Sequence, residues 1–88
     1  KIARILPDNV NVKIDKNSWR VPKIFRLIQN KAGIEDREMY HTLNMGVGMV
    51  LIVRPEAVSN VKEELAKFNL KNWVIGKVVP GHKEVEIA

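Results

Sequence analysis

The feature that most constrains the fold is the apolar run Val47–Val53, in which six of seven residues are apolar. Gly46 and Gly48 mark the start of the run, and Arg54-Pro55 ends it. A short run that is apolar at every position, and not only at alternate positions, is typical of a strand buried on both faces. We therefore predict a buried strand over residues 47–53 that does not lie at the edge of a sheet.

The two glycines of this stretch do not belong to a known phosphate-binding loop. A dinucleotide-binding G-x-G-x-x-G follows a strand, whereas Gly46 and Gly48 precede one, and no Lys-Ser or Lys-Thr completes a P-loop. Glycine at the start of a strand lets another backbone or a ligand approach closely, because no Cβ is in the way. Close packing and ligand contact are both open from the pattern, and Asn44 is the polar group that a ligand could use.

Strands and helices on either side of this run are predicted from their hydrophobic periodicity. Val10, Val12 and Ile14 alternate as in a half-buried strand. The predicted elements are strands over residues 9–15, 72–79 and 83–87, and helices over residues 22–32, from Glu35 and from Pro55. The order predicts an α+β (mixed α/β) fold with one mixed sheet of about four strands and helices packed on one face. No linker, repeat or internal boundary is visible.

Length and composition bound the class of protein. At 88 residues the chain is one small domain or a fragment of a larger one. It is 45% hydrophobic and 28% charged, as in soluble globular proteins. The absence of cysteine excludes disulfides and thiolate zinc sites. The longest apolar run is too short to cross a bilayer, and the N-terminus has no signal-peptide pattern. We expect a cytoplasmic protein without a membrane partner.

The net charge of +5 is concentrated in the first part of the chain. Residues 1–34 hold eight Lys or Arg against two Asp, a balance of +6, whereas residues 35–88 hold seven against eight, a balance of −1. The basic residues between positions 13 and 31 are spaced singly and form no run. A solvated face, or a surface that meets an anionic substrate or another domain, explains them better than nucleic-acid binding. A small basic module that binds RNA or another polyanion is the alternative function.

No catalytic or metal-binding constellation is visible in the sequence. The two histidines, His41 and His82, lie far apart, and Glu38 with His41 gives a single E-x-x-H pair where metal sites of helix bundles need two. Ser18 and Ser59 lack the context of an activated nucleophile. Paired carboxylates such as Glu63 and Glu64, or Glu84 and Glu86, lie on faces predicted to be solvated, where a plain charged surface explains them better than acid–base chemistry. We predict no catalytic residue and no metal ligand.

Three stretches resemble a known family in order and spacing: "ARILPD", "SWRVPKIFRLIQNKAGIEDREMYHTLNMGVGMVLIV" and "NWVIGKVV". They are similar to the C-terminal end of aminoimidazole ribonucleotide synthetases, also called phosphoribosylformylglycinamidine cyclo-ligases, and the similarity covers nearly the whole chain. The most specific string is E-M-Y-x-T-x-N-M-G-x-G-M. His41 stands where the family usually has Arg, and Leu43 where it usually has Phe.

The resemblance implies an activity larger than this chain contains. Enzymes of the family are homodimers of two-domain subunits that use ATP and a divalent metal such as Mg²⁺. They close the imidazole ring of formylglycinamidine ribonucleotide in de novo purine biosynthesis, through phosphoryl activation of the formyl oxygen, attack by the ring nitrogen and loss of phosphate.

The family's N-terminal ATP-binding domain and the start of its C-terminal domain, including a His-Ile-Thr-Gly-Gly-Gly segment, have no counterpart here. Residues 1–88 are therefore expected to be an incomplete C-terminal domain that is inactive alone and binds neither ATP nor Mg²⁺ by itself. The resemblance also implies that Asn44, Gly46 and Gly48 line the cleft between the two domains. Their expected role is close backbone approach to substrate or nucleotide.

Overall fold

The computed structural model describes residues 2–88. Within them the chain forms three α-helices and three β-strands. In chain order these are β1 (Val10–Ile14), α1 (Lys23–Ala32), α2 (Asp36–Thr42), α3 (Val58–Lys67), β2 (Gly76–Pro80) and β3 (Val85–Ile87). Single turns of 3₁₀ helix precede β1 at Ile2–Ile5 and α3 at Pro55–Ala57. The predicted α+β class is confirmed.

The sheet has the strand order β2-β1-β3, so the first strand in sequence is the central one. β1 pairs antiparallel with β2 and parallel with β3. The alternation that predicted β1 is confirmed by burial, because Val12 and Ile14 are buried on one face while Lys13 is exposed on the other. The sheet has three strands within the described residues, not the four predicted.

Asn11 organises the short connection between β2 and β3, which crosses the end of β1. Its Oδ1 accepts hydrogen bonds from the backbone amides of His82 at 2.7 Å and Glu84 at 2.9 Å. Asn11 is buried, and a Cβ on Gly81 would collide with its side chain. A buried carboxamide oxygen that satisfies two backbone donors lets four residues link two strands that are not neighbours.

β2 is shorter than the strand predicted over residues 72–79 and begins at Gly76. The reason lies in its partner. β1 ends at Ile14, and the chain then turns, with the Ser18 amide donating to the Asp15 carbonyl at 3.0 Å. A strand extends only as far as the neighbour that accepts its ladder bonds.

The helices begin and end near the predicted positions. α1 starts directly after Pro22 and stops at Gly33, which adopts the left-handed conformation with φ 65°. The amide of Gly33 donates back to the Gln29 carbonyl, as expected for a helix ended by glycine. The short second helix and the helix after Pro55 are also confirmed. That the helices cover one face of the sheet stays a prediction.

The prediction of a buried strand over residues 47–53 is wrong for this structure. These residues form no strand, and Met49–Val53 are exposed, with relative accessibilities from 40% to 81%. The physical reason is the lack of a neighbour. The compact unit that contains them, Arg20–Leu70, has no other extended segment assigned to a sheet within the described residues.

The chain divides into two compact units, a boundary that the sequence did not reveal. One unit combines the residues up to Trp19 with Lys71–Ala88 and contains the sheet; the other is Arg20–Leu70 and contains the helices. The division escapes a sequence scan because neither junction carries a Gly-, Pro- or Ser-rich linker. Buried apolar side chains are few in each unit: Leu6, Val12, Ile14 and Trp19 in the first, Met39 and Met45 in the second.

Candidate functional site in the Asn44–Gly48 turn

Asn44 opens a tight turn between α2 and the apolar run. Its carbonyl accepts a hydrogen bond from the Val47 amide at 3.0 Å, which closes a four-residue turn. Its side-chain Oδ1 accepts a second bond from the Gly46 amide at 2.8 Å. Asparagine commonly bonds the backbone two residues ahead in this way, so the residue type follows from the turn. The exposed carboxamide is thereby held in one orientation.

The two central residues of the turn have positive φ angles, 53° at Met45 and 97° at Gly46. Positive φ at both central positions is the pattern of a type I′ turn. Met45 is a thioether residue in a conformation that usually favours glycine, asparagine or aspartate. Its side chain is 1% exposed, so burial of that side chain offsets the conformational cost and anchors the turn.

Gly46 is required by its surroundings as well as by its dihedral angle. A Cβ at this position would lie 2.5 Å from Cδ and 2.9 Å from Cγ of Pro22, the residue that precedes α1. Carbon atoms that are not bonded do not approach so closely. The start of α1 therefore rests against the turn, and residue 46 has no room for a side chain.

Gly48 differs from Gly46 in both respects. Its φ lies outside the left-handed region, and a Cβ built on it would meet no atom within 4 Å among the described residues. Nothing within residues 2–88 explains why glycine stands there. The two glycines, which form one motif in the sequence, thus have separate structural roles.

Polar side chains join α1 to α2, the helix that leads into the turn. Arg26 donates to Gln29 Oε1 at 2.7 Å and to Asp36 Oδ1 at 3.1 Å. Gln29 Nε2 donates to the same Asp36 oxygen at 2.7 Å, and Tyr40 lies 3.5 Å from the Arg26 guanidinium. This cluster sets the position of α2 against α1 by directional bonds. It was missed in the sequence because its members are spread over fifteen positions.

The other candidates from the sequence are not brought together. Glu38 accepts a hydrogen bond from the Thr42 hydroxyl at 2.9 Å, and His41 is exposed on the same helix. Within residues 2–88, no three side chains of His, Cys, Asp or Glu converge on one point. The described residues therefore do not offer the carboxylate set that Mg²⁺ prefers.

The basic residues of the first third have varied surroundings. Arg26 forms a salt bridge with Asp36. In the sheet, Lys13 lies opposite Lys77 of β2 on one side and opposite Glu86 of β3 on the other. Like charges opposite each other are unfavourable, and Glu86 offsets part of that repulsion. Binding of RNA through residues 13–31 stays a prediction.

Comparison with known proteins identifies the family. The profile described as "AIR synthase related protein, C-terminal domain" matches residues 1–88. The chain belongs to this family. The resemblance noted from the E-M-Y-x-T-x-N-M-G-x-G-M string is thereby confirmed. No helix within residues 2–88 has both the length and the apolar character that crossing a bilayer requires.

Several similar proteins carry the name phosphoribosylformylglycinamidine cyclo-ligase. A protein from Pseudothermotoga lettingae named phosphoribosylformylglycinamidine cyclo-ligase is 46% identical over 86 residues, which is 98% of this chain and 26% of the relative. A protein of the same name from Thermoanaerobacter sp. is 50% identical over 78 residues, which is 89% of this chain and 23% of the relative. Another, from Xanthomonas oryzae, is 35% identical over 86 residues, which is 98% of this chain and 25% of the relative. The chain spans about a quarter of the length of these relatives.

Proposed function

We propose that this chain is the C-terminal part of an ATP-dependent phosphoribosylformylglycinamidine cyclo-ligase of de novo purine biosynthesis, in the cytoplasm. The observation that carries the proposal is the family match over residues 1–88, together with 46% identity to a protein of that name over nearly the whole chain. The substrate of the complete enzyme is formylglycinamidine ribonucleotide, the product aminoimidazole ribonucleotide, and the assembly a homodimer. The chain alone is inactive.

Within that enzyme, the turn at residues 44–48 lines the cleft that receives the substrate or the nucleotide. Asn44 Oδ1 is held by the Gly46 amide, and Nδ2 of Asn44 has no acceptor within residues 2–88. Such a fixed donor suits a carbonyl or phosphate oxygen, since an oriented group loses little entropy on binding. Gly48 leaves open space beside it for the ligand.

ATP supplies the phosphoryl group that activates the formyl oxygen in this reaction. The turn can contribute positioning and a hydrogen-bond donor, but the described residues lack the carboxylate cluster that a Mg²⁺ ion needs. In the proposed enzyme, the metal ligands therefore come from residues outside 2–88. Asn44, Gly46 and Gly48 act by holding and orienting the ligand.

A chimera tests the proposal. Residues 1–88 replace the matching stretch of the Pseudothermotoga lettingae protein, and the purified chimera is assayed for ATP-dependent conversion of formylglycinamidine ribonucleotide. We expect turnover by the chimera and by the unaltered relative, and none by the 88-residue chain alone. A folded chimera without turnover, beside an active relative, would overturn the proposal. Turnover by the 88 residues alone would overturn the claim that they are inactive.

A further inference from the structure

We propose that Asp36 is a positioning residue for ligand binding. Through its hydrogen bonds to α1 it fixes the position of α2, and through α2 it fixes the Asn44–Gly48 turn that follows. The inference rests on the proposed function, because it takes this turn to line the ligand cleft. All the residues that carry it lie in one compact unit, Arg20–Leu70.

Asp36 takes part in a closed ring of hydrogen bonds with two side chains of α1. Its Oδ1 accepts from Arg26 Nη1 at 3.1 Å and from Gln29 Nε2 at 2.7 Å. The ring closes because Arg26 Nη1 also donates to Gln29 Oε1 at 2.7 Å. Each bond restricts the direction of the next, so the ring fixes the orientation of α2 as well as its distance from α1. Loss of the Asp36 carboxylate removes two of the three bonds.

The segment from residue 36 to residue 46 runs back along one face of α1. Its contacts are Asp36 with Gln29, Tyr40 with Arg26 at 3.5 Å, and Gly46 with Pro22. As the segment advances, its partner on α1 moves towards the start of that helix. Positions 22, 26 and 29 are four and three residues apart, and residues at these spacings share one face of a helix. One face of α1 therefore supports the segment at both ends.

The lengths of the two stretches that meet in this way are matched. Pro22 belongs to the first turn of α1, since its carbonyl accepts a hydrogen bond from the Phe25 amide at 3.1 Å. Gln29 follows seven positions later, a rise of about 10 Å, and the seven residues of α2 span about the same length. Both end contacts can therefore form together. Without the ring at Asp36, α2 is free to tilt about the contact between Gly46 and Pro22.

Apolar packing gives this arrangement little further support. Met39 of α2 and Met45 of the turn, each 1% exposed, are the buried apolar side chains of this unit within the described residues. The hydrogen bonds at Asp36 thus carry much of the alignment between α1 and α2. A tilt that moves Asn44 by about 1 Å is enough to take its side chain out of hydrogen-bonding reach of a ligand oxygen.

The expected effect is on affinity and not on the chemical step. When a binding group is competent in one position only, the apparent dissociation constant rises in proportion as that position becomes less populated. A bound ligand selects the competent position, so turnover of the complex is unchanged. Loss of the ring should therefore raise KM and leave kcat close to its original value, a pattern that general loss of structure does not produce.

Kinetics of variants in the chimera test the inference. Asp36→Ala should raise the KM for formylglycinamidine ribonucleotide or for ATP by about 5-fold or more, with kcat changed by less than about 2-fold. Asp36→Asn keeps an oxygen acceptor for both donors and should restore KM to within about 2-fold. Gln29→Met breaks the ring from the side of α1 and leaves the charge at the start of α2, so it should raise KM as Asp36→Ala does.

Glu38→Ala is the matched control. Glu38 is the other carboxylate in the first turn of α2, and within residues 2–88 it accepts a hydrogen bond from Thr42 of the same helix and bonds to no residue of α1. Its KM should stay within about 2-fold of the original. Unchanged KM for both ligands in folded Asp36→Ala and Gln29→Met chimeras would overturn the inference. So would an equal rise in KM for Glu38→Ala, or a fall in kcat without a rise in KM.

A nuclear Overhauser effect in the 88-residue chain reads the position of the turn without an assay of activity. The Gly46 Hα and Pro22 Hδ protons face each other, so their cross-peak should be strong in the unaltered chain and in Asp36→Asn. It should be lost in an Asp36→Ala chain whose circular dichroism is unchanged, and its persistence there would overturn the inference. A chimera without turnover removes the proposed function, and loss of the cross-peak would still support positioning by Asp36; turnover with the cross-peak retained would do the reverse.

Discussion

Pro22 and Gly46 approach so closely that a Cβ on residue 46 would lie 2.5 Å from Cδ of the proline ring. The contact joins the start of α1 to the turn that follows α2. Two segments that lie more than twenty residues apart in the chain therefore pack against each other at this turn. The positive φ angles of Met45 and Gly46 lie beside this contact. The turn is therefore fixed by packing, by dihedral angle and by the Asn44 side chain together.

Alanine substitutions at the two glycines should differ in their effect on stability. Gly46→Ala combines a left-handed backbone with a collision against Pro22, and should lower the free energy of unfolding by about 2 kcal/mol or more. Gly48→Ala meets open space at an ordinary φ, and should be neutral or stabilise by up to about 1 kcal/mol. Urea unfolding of the 88-residue chain, followed by circular dichroism at 222 nm, measures both. Equal losses for the two variants would contradict the structure.

A substitution at Gly48 distinguishes an effect on folding from an effect on turnover. Because a side chain at this position contacts nothing within the described residues, Gly48→Val should leave the unfolding of the isolated chain unchanged within about 1 kcal/mol. In the active chimera the same change should reduce kcat/KM by about 10-fold or more if residue 48 lies beside a ligand, through loss of about 1.4 kcal/mol of binding. Wild-type kinetics in a folded Gly48→Val chimera would remove Gly48 from the proposed cleft.

Asn11 should matter more to stability than its small size indicates. Asn11→Ala removes the acceptor for the His82 and Glu84 amides and should cost about 1–3 kcal/mol, because two part-buried hydrogen bonds are lost at once. Trp19, buried in the same unit, reports unfolding by fluorescence. Asn17→Ala is the matched control, since Asn17 is exposed and should change stability by no more than about 0.5 kcal/mol. Similar effects of the two variants would refute the role of Asn11.

Arg26 and Asp36 should show a modest coupling that depends on salt. Their side chains are 43% and 49% exposed, so a double-mutant cycle with alanine should give about 0.3–1 kcal/mol at low ionic strength. In 1 M salt the coupling should fall, since charges are screened over about 3 Å. The Lys67–Glu64 pair, one turn apart on α3 and more exposed, serves as the comparison and should couple less. A salt-independent coupling would mean that the Gln29 hydrogen bonds, not charge, hold the cluster.

Much of the secondary structure was predictable because it depends on local pattern. Alternation in β1, Pro22 and Gly33 around α1, and the apolar stripe after Pro55 each act over a few residues. The Asn44 turn was within reach of the same reasoning, since Asn-x-Gly favours a side-chain bond to the amide two residues ahead. Close packing at Gly46, one of the two interpretations open from the pattern, is what the structure shows.

The apolar run marks the limit of local pattern. Its composition is typical of a buried strand. A strand also needs a neighbouring strand at about 4.8 Å to form its hydrogen bonds, and the composition of one segment does not show whether that neighbour exists. Whether a neighbour exists is a property of the whole polypeptide. The same residues are therefore exposed in this structure and form no strand.

The sequence by itself determined the local elements, the α+β class and the family, because periodicity, turn residues and an ordered string of identities are all contained in neighbouring positions. Only the tertiary structure decided that β1 is central, that Asn11 carries the crossing between β2 and β3, and that Gly46 and Gly48 have different reasons to be glycine. Those outcomes depend on which distant residues meet. Pro22 meets Gly46 and excludes a side chain there, whereas nothing in residues 2–88 meets Gly48.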